Sequence, residues 1–404
     1  MTTKSISNSE KPKKPPRLRF IDLARSTSIL LMIEGHFTGA ALSNDYRKEE
    51  YLLFKLWHII HGVTAPLFFT VTGVIFIYLL SVDNSIPYFK NIRVKKGFKR
   101  VLELLFWGYF IQLNLWVIGK SIYYWSKLHL DWFFAFHVLQ AIGVGLFFLL
   151  IVYGIFKWIN KGSLHWYYLI CSLLLFICYS YLKNYILMDE QAITNGIQTR
   201  PNYLPQNAPS FIQNMFYGKY SDFSFIRYSG YTLLGGMLGS LIRTYENKTK
   251  EFWFGMLFIV GGIFIILFIQ PFFYQVDNFT EWIGLTQKGL YVLNANAFGH
   301  FGAVVSIIGV FILVDKYCDL KLKLFLKLGQ NTLPIYILHV IILYGGIFGF
   351  GLKPLFFNES LGPWTAAGIS VIAILFFTLM VHYIDILEDK YDSFLRLITF
   401  KKKK

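Results

Sequence analysis

Apolar stretches of about 20 residues recur along most of the chain and are separated by shorter polar segments. A hydrocarbon core roughly 30 Å thick needs about 20 apolar residues in each crossing helix, so each stretch predicts one transmembrane helix. The pattern therefore predicts an all-α, polytopic integral membrane protein with about ten transmembrane helices. The approximate spans are residues 20–42, 52–82, 101–119, 133–156, 165–182, 225–242, 252–273, 298–315, 331–350 and 364–386.

The second predicted span, residues 52–82, is too long for one upright crossing of the bilayer. It also contains Pro66, which lacks a backbone donor, so the sequence predicts a tilt or a break in this helix. Together the spans form one predicted transmembrane domain over residues 20–386. Basic tails at residues 1–19 and 387–404 flank this domain and are expected in the cytoplasm.

The composition agrees with a membrane location, since 55% of the residues are hydrophobic and only 15% are charged. The net charge of +16 would suit either nucleic-acid binding or membrane topology. Of the 39 Lys and Arg residues, 27 fall in the tails and the alternate loops on their side, against 11 in the opposite loops. Because basic residues accumulate in cytoplasmic loops, this bias favours topology and places both termini in the cytoplasm. We expect a bacterial inner membrane protein that contacts membrane lipids and no nucleic acid.

The first span, residues 20–42, begins in the stretch LRFIDLARSTSILLMIEGHF at residues 18–37 and carries four ionisable side chains, Asp22, Arg25, Glu34 and His36. Such a group at the centre of a lipid-exposed helix costs on the order of 2.5 to 3.5 kcal/mol, so these groups require partners or a polar cavity. Arg25 and His36 fall within about 20° on one helical face and about 16 Å apart along the axis. Asp22 lies one turn before Arg25 and is expected to pair with it, while Glu34 points nearly opposite to His36. The group forms either a structural clamp or part of a site.

Other histidines favour a site, because the predicted topology brings several of them to the extracytoplasmic side. Histidine accepts and returns a proton near neutral pH, which suits either acyl transfer or a proton relay. Taken singly, each is better explained by packing or by an interface role, and their shared depth is the stronger signal. These residues are His58, His61, His137 and His300, with His339 near mid-membrane.

The opening segment resembles the D-x-x-R-G signature of transmembrane acyltransferases, which leads to a histidine. Asp22, Arg25 and His36 occupy the matching positions, and Ser26 replaces the usual glycine. The resemblance is to bacterial relatives of the heparan-alpha-glucosaminide N-acetyltransferase catalytic domain, within the superfamily that contains acyltransferase family three. Further similar segments follow in the expected order and cover most of the chain: APLFFTVTG at 65–73, KKGFKRVLELLFWG at 95–108, FHVLQAIGVG at 136–145, YTLLGGMLG at 231–239 and LGQNTLPIYILH at 328–339.

This resemblance implies O- or N-acylation, with acetylation expected, of a carbohydrate-like or envelope acceptor by an acyl group from cytoplasmic acyl-CoA. His36 would be the general base or a transient acyl carrier, and Arg25 would position it or contact the donor. The lumenal N-acetyltransferase branch places its key histidine after the first span, which would favour His58 or His61. The choice between these histidines stays open.

The donor's phosphates require cations, and the third span is preceded by a basic cluster on the predicted cytoplasmic side. The positive-inside rule explains this cluster equally well. No metal is expected, because the three cysteines lack metal-binding spacing. The candidate donor-binding residues are Lys95, Lys96, Lys99 and Arg100, together with Arg25.

Two further residues are supporting candidates near the predicted ninth span. Asn331 is either a donor to the developing oxyanion or a helix cap, and His339 lies deeper in the same segment. The main alternative function is a transporter that uses Asp22, Arg25 and His36 as an ion or proton pathway. Transporters often show internal repeats, and the sequence shows no convincing one. The sequence identifies neither the acceptor nor the oligomeric state.

Overall fold

The structure, a computed structural model, describes residues 17–80, 86–125, 132–190, 223–284, 290–318 and 322–399. Within these ranges the chain is helical apart from its connections and one isolated bridge between Leu42 and Leu361, so the all-α prediction is confirmed. Most of the predicted N-terminal tail, residues 1–16, and the last residues, 400–404, lie outside the described residues. The helices are α1 Arg19–Ala41, α2 Leu52–Leu80, α3 Ile92–Phe110, α4 Leu115–Tyr123, α5 Val138–Ile159, α6 Leu164–Glu190, α7 Phe225–Thr244, α8 Phe252–Trp282, α9 Leu290–Tyr317, α10 Lys323–Gln330, α11 Thr332–Tyr344 and α12 Pro363–Thr399.

Five helices in the described part of the chain are both long and apolar enough to cross a membrane: α2, α5, α8 and most of α9 and α12. Two bent pairs raise the number to seven if each pair forms one span. The bend is 49° between α3 and α4 and 75° between α10 and the segment that begins with α11. The chain is thus a multi-pass membrane protein, but the predicted count of about ten spans is not confirmed.

Two helices differ in detail from the prediction. α2 continues as one α-helix through Pro66, so of the predicted tilt or break, the break is absent. α3 begins at Ile92 instead of at residue 101, because the side chain of Asn91 caps the helix by accepting a 2.8 Å hydrogen bond from the backbone N–H of Arg93. The basic segment that precedes the predicted third span therefore lies on a helix.

α1 is the central helix and packs against α2, α9, α10, α11 and α12. The polar side chains of α1 explain why a helix of this length is not apolar enough to count as a span. Those buried within the bundle are Asp22, Ser26, Ser28 and Thr38. Ser26 is fully buried and joins α1 to α10. Its hydroxyl lies 2.6 Å from the carbonyl oxygen of Phe325 and accepts a 3.0 Å hydrogen bond from the backbone N–H of Gly329. The serine that replaces the glycine of the resembled signature thus has a structural role.

α2 and α7 approach each other closely through glycines, as small residues allow between membrane helices. A Cβ at Gly235 would lie 2.0 Å from the carbonyl oxygen of Thr70, and one at Gly73 would lie 2.1 Å from that of Thr232. Neither position accepts a side chain without moving backbone. This contact holds α2 against α7. Residues of α2 line two of the three cavities of the site described below.

Gly235→Leu is expected to destabilise the protein by at least about 3 kcal/mol, because the added side chain meets backbone of α2 that cannot rotate away. Thermal unfolding of the purified protein, followed by gel filtration in detergent, measures the effect. Gly261→Leu on α8 is the matched control, since a Cβ there meets nothing within 4 Å. Equal unfolding temperatures for the two variants would contradict close α2–α7 packing.

Candidate functional site

The cationic cavity, about 250 Å³ in volume, lies between α1, α2, α3, α5 and α11. Four basic side chains face it, from Arg25 on α1 and from Arg93, Lys96 and Arg100 on α3. The α3 residues are spaced by three and four positions, so the helix presents them on one face. Most of the remaining lining is apolar. The cavity therefore combines positive charge with apolar walls.

The predicted donor-binding cluster is divided by the helical geometry of α3. Lys96 and Arg100 line the cationic cavity, whereas Lys95 and Lys99 are exposed and do not line it. Arg100 also forms a 2.9 Å ion pair with Glu103. Arg93 was missed by sequence reasoning, although its spacing from Lys96 and Arg100 would have indicated it once α3 was known to begin at Ile92.

The predicted pair between Asp22 and Arg25 is replaced by a different arrangement. Asp22 is paired with Arg17, at 2.6 Å between its Oδ2 and the Nε of the arginine. Arg25 instead lies with its Nη2 3.5 Å from the hydroxyl oxygen of Thr332, at the start of α11. Because Arg17 satisfies the carboxylate, the guanidinium of Arg25 is directed to the cavity and to Thr332.

His36 lies near the other end of α1 and contacts two side chains of α11. Its Nδ1 is 2.8 Å from the hydroxyl of Tyr344, and its ring centroid is 5.1 Å from that of His339. In the tautomer in which Nδ1–H donates to Tyr344, the lone pair is on Nε2, which can then accept a proton. His339 is fully buried, with its Nδ1 3.3 Å from the carbonyl oxygen of Ile335.

A second histidine is held by a carboxylate on the same helix as His36. Glu34 accepts hydrogen bonds from Thr38 at 2.8 Å and from Trp57 at 3.0 Å, and its other oxygen pairs with Nε2 of His61. The ring of His61 also packs on Trp57, with centroids 4.4 Å apart. The carboxylate orients the imidazole, and because Glu34 holds Nε2 of His61, Nδ1 is the ring nitrogen left to accept a proton. A Cβ at Gly35 would lie 2.8 Å from Nδ1 of His61, so a glycine is needed beside this ring.

Two cavities open beside these histidines. The histidine cavity, about 210 Å³, is lined by His36, His61, Trp57 and Phe68 among others. The amide cavity, about 600 Å³, is lined by polar side chains together with aromatic and apolar ones. Its polar members are His36, Gln112, Asn114, His137, Gln140, Tyr344 and Lys353.

The three cavities share walls at the middle of the bundle. Phe68 lines both the cationic and the histidine cavity, and Leu139 and Tyr336 line both the cationic and the amide cavity. Tyr336 also contacts His339 edge to face, with ring centroids 4.9 Å apart. The cationic cavity and the two cavities that His36 lines are therefore neighbours with lining residues in common.

The remaining candidates lie away from these walls. His58 is exposed on α2, packs near Phe54 and lines none of the three cavities. Asn331 donates a 2.9 Å hydrogen bond to the carbonyl oxygen of Lys327 at the sharp bend between α10 and α11. Asn331 precedes the first residue of α11, but its side chain makes no capping hydrogen bond to that helix, so the predicted side-chain cap is absent. Among the residues described, no three His, Cys, Asp or Glu side chains group as a metal site would require.

Several residues at the site carried no sequence signal. Glu34 had no evident partner in the sequence, and Tyr344, Trp57 and Gln140 could not be told from ordinary interfacial or packing residues. Their roles depend on contacts between helices that are distant in the chain. The spacing of Arg93 on α3 became informative only once the helix was known to begin at Ile92.

Comparison with known families decides the class of the protein. Residues 18–383 match the acyltransferase domain of acyltransferase family three. The chain belongs to this family. A search of curated proteins gave no match. As a family-three member with several apolar spanning helices, the protein is a membrane acyltransferase, and the resemblance inferred from the opening segment is confirmed at this level.

Proposed function

We propose that this family-three acyltransferase moves an acyl group, acetyl in the simplest case, from acyl-CoA in the cationic cavity to an acceptor beside His36. One observation supports the proposal above all others. Four cations line a cavity that shares Phe68 with the histidine cavity and Leu139 and Tyr336 with the amide cavity, and His36 lines both of these. In our proposal a donor and an acceptor bound in these compartments approach each other near the shared residues.

The cationic cavity suits a donor with phosphates and an acyl thioester. Arginine pairs with phosphate through two parallel hydrogen bonds, and lysine supplies a compact charge. In our proposal Arg93, Lys96 and Arg100 of α3 bind phosphate groups, and Arg25 of α1 contacts the thioester end or holds the cavity in shape. The apolar lining accommodates the pantetheine arm and a short acyl chain.

The reaction requires a base, and His36 is the preferred one. Its Nε2 removes the proton from an acceptor hydroxyl or amine, the acceptor oxygen or nitrogen attacks the thioester carbonyl, and the C–S bond then breaks. The proton returns from His36 to the leaving thiolate, so that free CoA is released. His61, oriented by Glu34 on the shared histidine cavity, is the alternative base. His36 is preferred because it alone of the two also lines the amide cavity.

We place the cationic end of the bundle at the cytoplasmic face of a bacterial inner membrane, with both termini on that side. The bias of basic residues supports this orientation, and so does the cytoplasmic location of acyl-CoA. The acyl group would then be used at the opposite face, on a carbohydrate-like or other envelope acceptor. Family membership gives no support to the alternative of a transporter.

The donor assignment is tested by a pair of double variants on α3. Arg93→Ala/Lys96→Ala should weaken acetyl-CoA binding at least tenfold, because two cations that face the cavity are lost. Lys95→Ala/Lys99→Ala removes the same charge from the exposed face of α3 and should leave binding within about twofold. Binding of radiolabelled acetyl-CoA to purified protein in nanodiscs provides the measurement. Equal losses in both variants would indicate a diffuse charge effect and contradict the cavity as the donor site.

A further inference from the structure

Two glutamine amides form a relay at the amide cavity. The side-chain N–H of Gln112 donates to the carbonyl oxygen of Ala135 at 3.2 Å, and that of Gln140 donates to the Oε1 of Gln112 at 3.1 Å. Gln140 is fully buried, and its Oε1 has no hydrogen-bond partner among the described residues. A buried polar atom without a partner costs free energy, so this carbonyl calls for a ligand.

The direction of the relay fixes what Gln140 presents. A backbone carbonyl can only accept, so Gln112 must turn its NH₂ towards Ala135 and its Oε1 towards Gln140. Gln140 must then donate to Gln112 and keep its own carbonyl oxygen for another group. A Cβ at Gly108 would lie 2.9 Å from this oxygen, and Gly108 and Gln140 both line the amide cavity. The relay therefore fixes the unpaired atom of this cavity-lining residue as an acceptor, and its polarity cannot be reversed.

The position of the relay indicates which substrate it serves. Gln140 lies in the first turn of α5 and Gln112 just beyond the C-terminal end of α3. Along α3 this end is about 20 Å from Lys96, on the cationic cavity. The relay thus lies far from the phosphate-binding end and in the compartment that His36 also lines.

We propose that Gln140 binds a hydroxyl group of the acceptor and so acts as a specificity-determining residue for that substrate. This inference rests on the proposed function, which places the acceptor beside His36. A hydroxyl donates its proton to the Gln140 carbonyl, whereas an ether or ester oxygen cannot. The neighbouring Asn114, Trp132 and Tyr344 add the amide and aromatic groups that suit a ligand rich in hydroxyls.

The test uses the full-length protein in nanodiscs and two matched probes, octyl β-D-glucoside and its tetra-O-methyl ether. The ether keeps the ring and its acceptor oxygens but lacks every hydroxyl donor. Wild-type protein should bind the glucoside at least about tenfold more tightly than the ether, after subtraction of binding to empty nanodiscs. Gln140→Met should abolish this preference by weakening glucoside binding, while acetyl-CoA binding stays unchanged.

Two other variants complete the test. Gln112→Met leaves Gln140 in place but removes the group that orients its amide, so the preference should fall while the protein stays folded. Gln330→Met is the matched control, because that exposed glutamine bonds only to its own helix at Leu326 among the described contacts and lines none of the three cavities.

Three outcomes would overturn the inference: no preference in the wild-type protein, an unchanged preference in Gln140→Met, or loss of acetyl-CoA binding in a folded Gln140→Met variant. The last outcome would assign Gln140 to the amides of the pantetheine arm. If the probe preference depends on Gln140 but acyl transfer is absent, the proposed reaction fails and the hydroxyl site stands.

Discussion

His36→Ala is expected to lower acyl transfer by about 10²- to 10⁴-fold, the usual contribution of a general base. The variant should remain folded, because His36 is only half-buried and its removal leaves no charge without a partner. Transfer of radiolabelled acetyl from acetyl-CoA into membrane or glycan fractions measures the rate. Acetyl-CoA binding should be unchanged, since His36 does not line the cationic cavity.

Two other histidines serve as comparisons for this prediction. His58→Ala removes a histidine that is exposed on α2 and lines none of the cavities, so it should retain full activity. His61→Ala removes the partner of Glu34 and should reduce transfer less than His36→Ala does. If His36→Ala kept full turnover and His61→Ala lost it, the Glu34–His61 pair would be the base instead.

Arg25→Lys is expected to impair transfer at least tenfold although it keeps the positive charge. Lysine lacks the planar fork of arginine and cannot make paired hydrogen bonds to a donor or reproduce the contact with Thr332. Arg25→Ala should lower transfer further. Acetyl-CoA binding and single-turnover transfer separate an effect on the donor from an effect on chemistry.

The stability of Arg25→Ala distinguishes this account from the one that the sequence alone suggested. If Asp22 were paired with Arg25, the alanine variant would leave a poorly solvated carboxylate without its partner and lose stability. The structure pairs Asp22 with Arg17, so Arg25→Ala should unfold near the wild-type temperature. Normal donor binding and turnover in Arg25→Ala would remove Arg25 from the site.

The sequence predicted the features that depend on local periodicity. The helical character followed from the apolar stretches, and the shared face of Arg25 and His36 followed from eleven positions of helical rotation. In the structure, Arg25 lines the cationic cavity, and His36 lines both the histidine cavity and the amide cavity. Lys96 lines the cationic cavity and Lys95 does not. This difference could have been predicted from the correct start of α3, which the cap at Asn91 determines.

The features that the sequence could not predict depend on packing between distant segments. Asp22 has three arginines within five positions, namely Arg17, Arg19 and Arg25, and only the fold shows that Arg17 pairs with it. The contact of His36 with Tyr344 joins residues 308 positions apart, and the Gln112–Gln140 relay joins α5 to the segment after α3. The predicted count of about ten spans is not confirmed, and α1 is not among the spans recognised by length and hydropathy because it carries several polar side chains.

The central claim is that the protein transfers an acyl group with the help of His36, and a mass comparison of envelope glycans and lipids tests it most directly. The comparison uses cells that carry the wild-type gene, no gene, or the His36→Ala variant at an equal protein level. The account predicts an acyl-sized mass increase on one class of molecule in wild-type cells and its absence in both other strains. The same increase in His36→Ala cells, or no acyl-sized difference between wild-type and deleted cells, would contradict it.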